Sequence, residues 1–199
     1  MWTKAEFETA IAAMPPEKLA WLDEGIKAIV ALSNMGLDQN RVAEYFQQSR
    51  NAIVLALSTG ARKMEIVGLR WDDIDFDRQL ITLHETKNGE RRVLPLQGHA
   101  YSLMTALLAD TRKKEKESGG KCEYAFPSEQ GCQPIDIRRA WENALKKAGV
   151  LDFRFHDLRH SAASYLAMNG ASIAEIAEVL GHKTLQMVKR YAHLSVPHT

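Results

Sequence analysis

Apolar residues recur three and four positions apart along most of this chain, and the pattern changes only in a short central stretch. Thr3 and Glu6 form a capping-box pair that opens a helix to about Met14, where Pro15-Pro16 ends it. Helical spacing resumes from Glu17 to Leu32, with Leu19, Leu22, Ile26, Ile29 and Val30 on one face. Met35-Gly36 stops that helix, and Asp38 caps another that carries Ile53, Val54, Leu55 and Leu57 to Thr59-Gly60, with Ser49 a candidate break. A short helix over Lys63–Gly68 precedes the change of period. Ile74–Phe76, Leu80–His84 and Arg92–Leu96 are extended, and Asn88-Gly89 is a hairpin turn between the last two. The remainder is helical over 98–117, 134–148, 157–168, 173–180 and 184–192, punctuated by Gly119-Gly120 and Asn169-Gly170, with Ser172 and Glu175 as a second capping box. The pattern predicts an α+β fold, mostly helical, with one small three-stranded antiparallel sheet.

The 199 residues suffice for one domain with a substantial core, or two small ones. Apolar content of 45% and charged content of 26% are those of an ordinary globular protein. No apolar run approaches the ~18–20 residues that span a bilayer, and the first residues lack the basic-then-apolar order of a signal peptide. A cytoplasmic protein is expected, without membrane attachment. Cys122 and Cys132 lie in no CxxC pair and near no zinc-spaced histidines. A disulfide between them is conceivable, but reduced thiols are the better expectation, and no structural metal is expected. Net charge is only +1, yet it is unevenly spread. Residues 1–50 carry five Lys/Arg against seven Asp/Glu, whereas residues 138–193 carry nine against five and four of the seven histidines. A basic region of that kind suits a phosphate backbone.

Several residues carry candidate chemistry. Arg62 follows a glycine turn, and its planar fork of donors suits phosphate oxygens, with Glu65 one turn on to fix it. Alone, such a pair is usually a surface ion pair. His156 and Arg159 are three apart, on one helix face. His182 follows Leu180-Gly181, at a helix C-terminus. Tyr191 comes nine residues later; a phenol with an ordinary pKa of about 10 needs activation to act as a nucleophile, and nearby arginines lower the cost of the phenolate. Lys87 stands beside the Asn88-Gly89 turn, followed by Arg91 and Arg92.

Taken together, these residues resemble the tyrosine recombinase (phage integrase) family. The stretch from Thr59 to Asp75 is similar to the family's first signature box, His156-Asp157-Leu158-Arg159-His160 to its most recognisable pentad, and Leu180-Gly181-His182 followed by Tyr191 to its C-terminal arrangement. The resemblance covers roughly residues 51–195 and implies a fold shared with type IB topoisomerases. It implies that Tyr191 attacks the scissile phosphate to give a 3′-phosphotyrosyl link. Arg62, Arg159 and His182 would stabilise the phosphorus, His156 would assist with protons, and Lys87 would protonate the leaving 5′ oxygen. Arg91 and Arg92 are expected to hold the DNA backbone, and a swap of roles with Lys87 stays open. His160 is a supporting residue, either packed or catalytic. No cofactor or metal is implied. The partner is double-stranded DNA, with a homotetramer on synapsed DNA, a solitary domain being monomeric. The expected organisation is a helical lead-in over 1–50 and a catalytic domain over 51–199, without the family's separate N-terminal DNA-binding domain.

A different class of function fits one part of the chain. Ser172–Tyr191 also reads as a helix-turn-helix, the pattern that places a recognition helix in the major groove of DNA. That reading gives no reason for Arg62, Lys87, His156 and Arg159 to coexist.

Overall fold

The computed structural model describes residues 41–84, 91–128 and 130–194. The helices expected over Thr3–Met14 and Glu17–Leu32, the Asn88-Gly89 turn and Lys87 lie outside the described residues.

Helix α1, Arg41–Thr59, is central among the described elements. It runs unbroken through Ser49, which is itself buried, and across the boundary expected at residue 50. Ala52, Ile53, Leu55 and Ala56 are fully buried, consistent with a helix covered on more than one side. It packs against α2 (Lys63–Val67), α3 (Gly98–Ser118), α4 (Arg138–Ala148) and α5 (Asp157–Met168). The three-stranded sheet is present as expected, in the order β1 (Ile74–Asp75), β2 (Leu80–Leu83), β3 (Arg92–Pro95), all antiparallel. Ile81 pairs with Ile74 on one side and Leu94 on the other, so the apolar phase of all three strands faces the core. Arg92 stands on that same inward phase, two residues before the fully buried Leu94.

Three features depart from expectation. A two-stranded hairpin, β4 (Pro127–Ser128) with β5 (Gly131–Pro134), occupies a stretch expected to be loop and helix start. Proline lacks an N–H, so Pro134 suits a strand end, and α4 begins four residues later than expected. The Arg138 N–H instead donates to the Asp136 carboxylate at 3.0 Å. Next, Cys122 and Cys132 are joined in a disulfide rather than held as thiols, because this hairpin brings Cys132 beside residues 122 and 123, where the Glu123 N–H donates to the Cys132 sulfur. Finally, the helix expected over 184–192 is replaced by two 3₁₀ segments, Leu185–Met187 and Lys189–Leu194. They tuck Val188 and Tyr191 into a second apolar cluster with Ala163, Ala167, Ile176, Ala177 and Leu180. Tertiary burial of these residues overrides a weak local helix preference. No second α-helix follows α6 (Ile173–Leu180) among the described residues, so the helix-turn-helix has no recognition helix. Among the described residues, no helix is long and apolar enough to cross a membrane.

Candidate active site

The site is assembled at three helix ends. Helix α1 terminates at Gly60, whose φ of +65° favours glycine. A Cβ there would meet Leu180 Cδ2 at 2.7 Å, so glycine also permits the close approach of α6. The chain turns directly into Arg62, the N-cap of α2. The Glu65 carboxylate accepts the Arg62 backbone N–H and the Arg62 guanidinium, both at 2.7 Å. It also accepts from Arg92 Nη2 at 2.6 Å. Burial works to raise the Glu65 pKa, but the Arg62 N–H and the two guanidiniums outweigh it and hold the carboxyl below its ordinary value.

Arg92, expected at the DNA backbone, is instead 8% exposed and turned inward by the strand phase. Its Nη1 donates to the Leu180 carbonyl, at the C-terminus of α6. The same carbonyl accepts from Arg159 Nη2, while Arg159 Nη1 donates to the Gly60 carbonyl at 2.7 Å. Two guanidiniums therefore complement the negative end of a helix dipole. Gly181, at φ +62°, ends α6; a Cβ there would lie 2.6 Å from Arg92 Nη1. The Leu-Gly of the Leu-Gly-His motif is thus the seat of two arginines. Arg159 is 3% exposed, and burial followed by repulsion from Arg62 and Arg92 lowers its pKa to about 10, so it remains cationic at neutral pH.

The histidines surround this cationic centre. His156 precedes α5 as its N-cap residue. His156 and Arg62 both line a groove of about 970 Å³, together with Met64, Glu65, Arg70 and Tyr124. Burial and the neighbouring Arg159 push the His156 pKa down. His182 lies one residue beyond Gly181, with Nδ1 3.2 Å from the Met187 sulfur. Burial, then Arg159, Arg62 and Arg92, depress its pKa to about 4, so it is a neutral imidazole at physiological pH.

Tyr191 is 5% exposed, and its hydroxyl is hydrogen-bonded to His160 Nδ1. Its pKa was expected to fall beside arginines. Arg190 and Arg159 do act in that direction, but burial outweighs them and the net shift is upward. The phenol is a sequestered, protonated group. Arg62, Glu65, His156, Arg159, His160, His182 and Tyr191 thus gather around the ends of α1, α5 and α6, whereas Arg91 is exposed just before β3 and Lys87 lies outside the described residues. The inward role of Arg92 escaped sequence reasoning, although period two placed Arg92, Leu94 and Leu96 on one face. The arrangement offers clustered positive charge, neutral imidazoles and one buried phenol. Those are the groups for attack on a phosphodiester.

Comparison with known proteins gives the same picture. A family model described as the phage integrase family matches residues 29–198. An integrase from Salmonella phage P22 is 34% identical over 167 residues, which make up 81% of this chain and 43% of that protein. A tyrosine recombinase XerC from Corynebacterium glutamicum is 32% identical over 152 residues, covering 76% of this chain and 48% of its own. The crystal structure of XerA recombinase superposes with a TM-score of 0.63 at 26% identity, covering 87% of this chain and 59% of that one. The chain spans less than half the length of these two sequence relatives.

Proposed function

The chain belongs to the phage integrase family, and we propose that it breaks and rejoins DNA strands as a tyrosine-type site-specific recombinase. Tyr191 Oη attacks the scissile phosphorus, forming a 3′-phosphotyrosyl link and releasing a 5′ hydroxyl. Arg62 and Arg159 neutralise the charge that grows on the phosphate oxygens, and His182 donates a hydrogen bond without adding a third charge. His156 assists proton movement at the mouth of the groove, and Lys87 protonates the leaving 5′ oxygen. Arg91 holds the DNA backbone. The energy of the broken bond is kept in the tyrosyl ester, so the reverse attack by a 5′ hydroxyl reseals the strand. Exchange of partner strands gives integration or excision of a mobile element.

The observation that carries this reading is the single network joining Arg62, Glu65, Arg92, the Leu180 carbonyl, Arg159 and the Gly60 carbonyl. A fold gains little from gathering three guanidiniums, two of them buried, near one carboxylate unless an anion completes the charge balance. Double-stranded DNA supplies that anion, and a homotetramer on two synapsed duplexes is the proposed working assembly, acting in the bacterial cytoplasm where that DNA lies. Residues 51–199 form the catalytic unit in this reading and residues 1–50 its helical lead-in. The test is covalent capture on a nicked suicide substrate containing the cognate site. A protein–DNA band that survives SDS is expected from the wild type and none from Tyr191→Phe. Equal bands from both proteins would refute the assignment.

A further inference from the structure

Three side chains at the start of α5, His156 at its N-cap and two within it, point to three different places. His156 faces the groove beside Arg62, Arg159 faces the Gly60 and Leu180 carbonyls, and His160 faces the Tyr191 hydroxyl. His156 and His160 are one helical turn apart, and their rings meet edge to face with centroids 5.5 Å apart. The groove histidine is therefore the one expected to meet the phosphate, while the inner histidine touches the nucleophile itself.

Resting on the function proposed above, we infer that His160 is the general base of strand cleavage, taking the Tyr191 proton on Nδ1 as the phenol oxygen attacks. The phenol is the more acidic partner of the hydrogen bond, so it donates and the imidazole nitrogen accepts. Acceptance requires a neutral ring, and the surroundings enforce one. Burial lowers the His160 pKa, followed by the charges of His156, Arg190 and Arg159, with Asp157 acting in the opposite direction. His182 also faces this cluster from the end of α6. The same burial raises the phenol. Transfer before DNA binds is thus unfavourable at both partners, and the proton moves only when the attacked phosphate draws charge off the tyrosine oxygen.

The atoms balance. The Tyr191 O–H bond breaks and its proton joins His160 Nδ1. The Oη–P bond forms and the P–O5′ bond breaks, with the 5′ oxygen taking a proton from the general acid of the proposed reaction. In resealing, the 5′ hydroxyl returns that proton to the acid, attacks phosphorus, and Tyr191 leaves with the proton of His160. The contact also serves the free protein, because a buried phenol hydroxyl needs a hydrogen-bond partner.

The test compares single-turnover cleavage of a suicide DNA substrate by the wild type, His160→Gln and His160→Phe between pH 5 and 9. Folding is followed by circular dichroism and DNA affinity by fluorescence anisotropy. His160→Gln is expected to bind DNA as the wild type does and to cleave it at least ~100-fold more slowly at neutral pH, the lower bound for loss of a general base. The wild-type advantage should shrink in acid, as His160 becomes protonated in the one protein that has it. A second measurement replaces Tyr191 by 2,3-difluorotyrosine, whose phenol is more acidic. The His160→Gln defect should narrow in that background, which a purely structural role would not bring about. Wild-type cleavage matched by both variants, or a defect unchanged by pH and by fluorination, would overturn the base assignment. Absence of covalent product from the wild type itself would instead overturn the recombinase reading, and this inference with it.

Discussion

Replacing Glu65 by Gln probes the whole arginine network with one isosteric change. The carboxylate is 5% exposed in its side chain and accepts three donors, from the Arg62 N–H, the Arg62 guanidinium and the Arg92 guanidinium. Glutamine keeps one acceptor oxygen but turns an NH₂ donor toward a guanidinium, and it removes the negative charge. Arg92, with 7% of its side chain exposed, is then a buried cation without an anionic partner. Removing one partner of a buried pair costs about 3–5 kcal/mol, mostly as the desolvation of the charge left behind. Urea unfolding followed by tryptophan fluorescence and circular dichroism should report a loss in this range, with little change in slope. The Glu65 pKa is depressed in the folded state, so its contribution is present above the unfolded carboxyl range and disappears as pH falls through the folded value. The gap between wild type and Glu65→Gln should accordingly close in acid. A loss below about 1 kcal/mol at pH 7, the value of an exposed pair, would refute the claim that Glu65 neutralises buried arginines.

Further outcomes follow from the same geometry. Gly181→Ala places a Cβ 2.6 Å from Arg92 Nη1 at a φ of +62°, so cleavage should fall, while unfolding registers at least the roughly 1–2 kcal/mol of a left-handed alanine. Ser172→Ala removes the hydroxyl that accepts the Glu175 N–H at 3.2 Å and should cost about 1 kcal/mol in denaturant, with normal cleavage. His182 has its pKa lowered from 6.5 to about 4, so the folded protein binds fewer protons than the unfolded chain in that window and loses stability as pH falls through it. His182→Gln should flatten that part of the stability curve, and an unchanged curve would show that His182 does not sit among the three arginines.

Much of the site was legible because it is written in short local spacings. Arg62 and Glu65 are a helix turn apart, His156 and Arg159 share a helix face, and glycines at 60 and 181 mark the two helix ends that bring the boxes together. The sheet followed from alternation. The less legible parts depend on contacts between distant segments. Nothing local in 124–134 announces β4 and β5, whose turn lacks an Asn-Gly or Asp-Gly signal, and the Cys122–Cys132 link follows from that hairpin. The tail from 184 reads as helix, but burial of Val188 and Tyr191 against α5 and α6 forces tighter 3₁₀ turns. The upward shift of the Tyr191 pKa was hidden for the same reason: residue spacing announces arginine neighbours but not the depth of burial that outweighs them.

Peptide mapping of the trapped complex tests the central claim most directly. The wild-type chain is incubated with its nicked cognate site, the covalent product is digested with protease and nuclease, and the modified peptide is sequenced by tandem mass spectrometry. The account predicts a single nucleotide 3′-phosphate ester on the oxygen of Tyr191. A stable adduct on any other residue, Tyr165 or Tyr124 included, would contradict it.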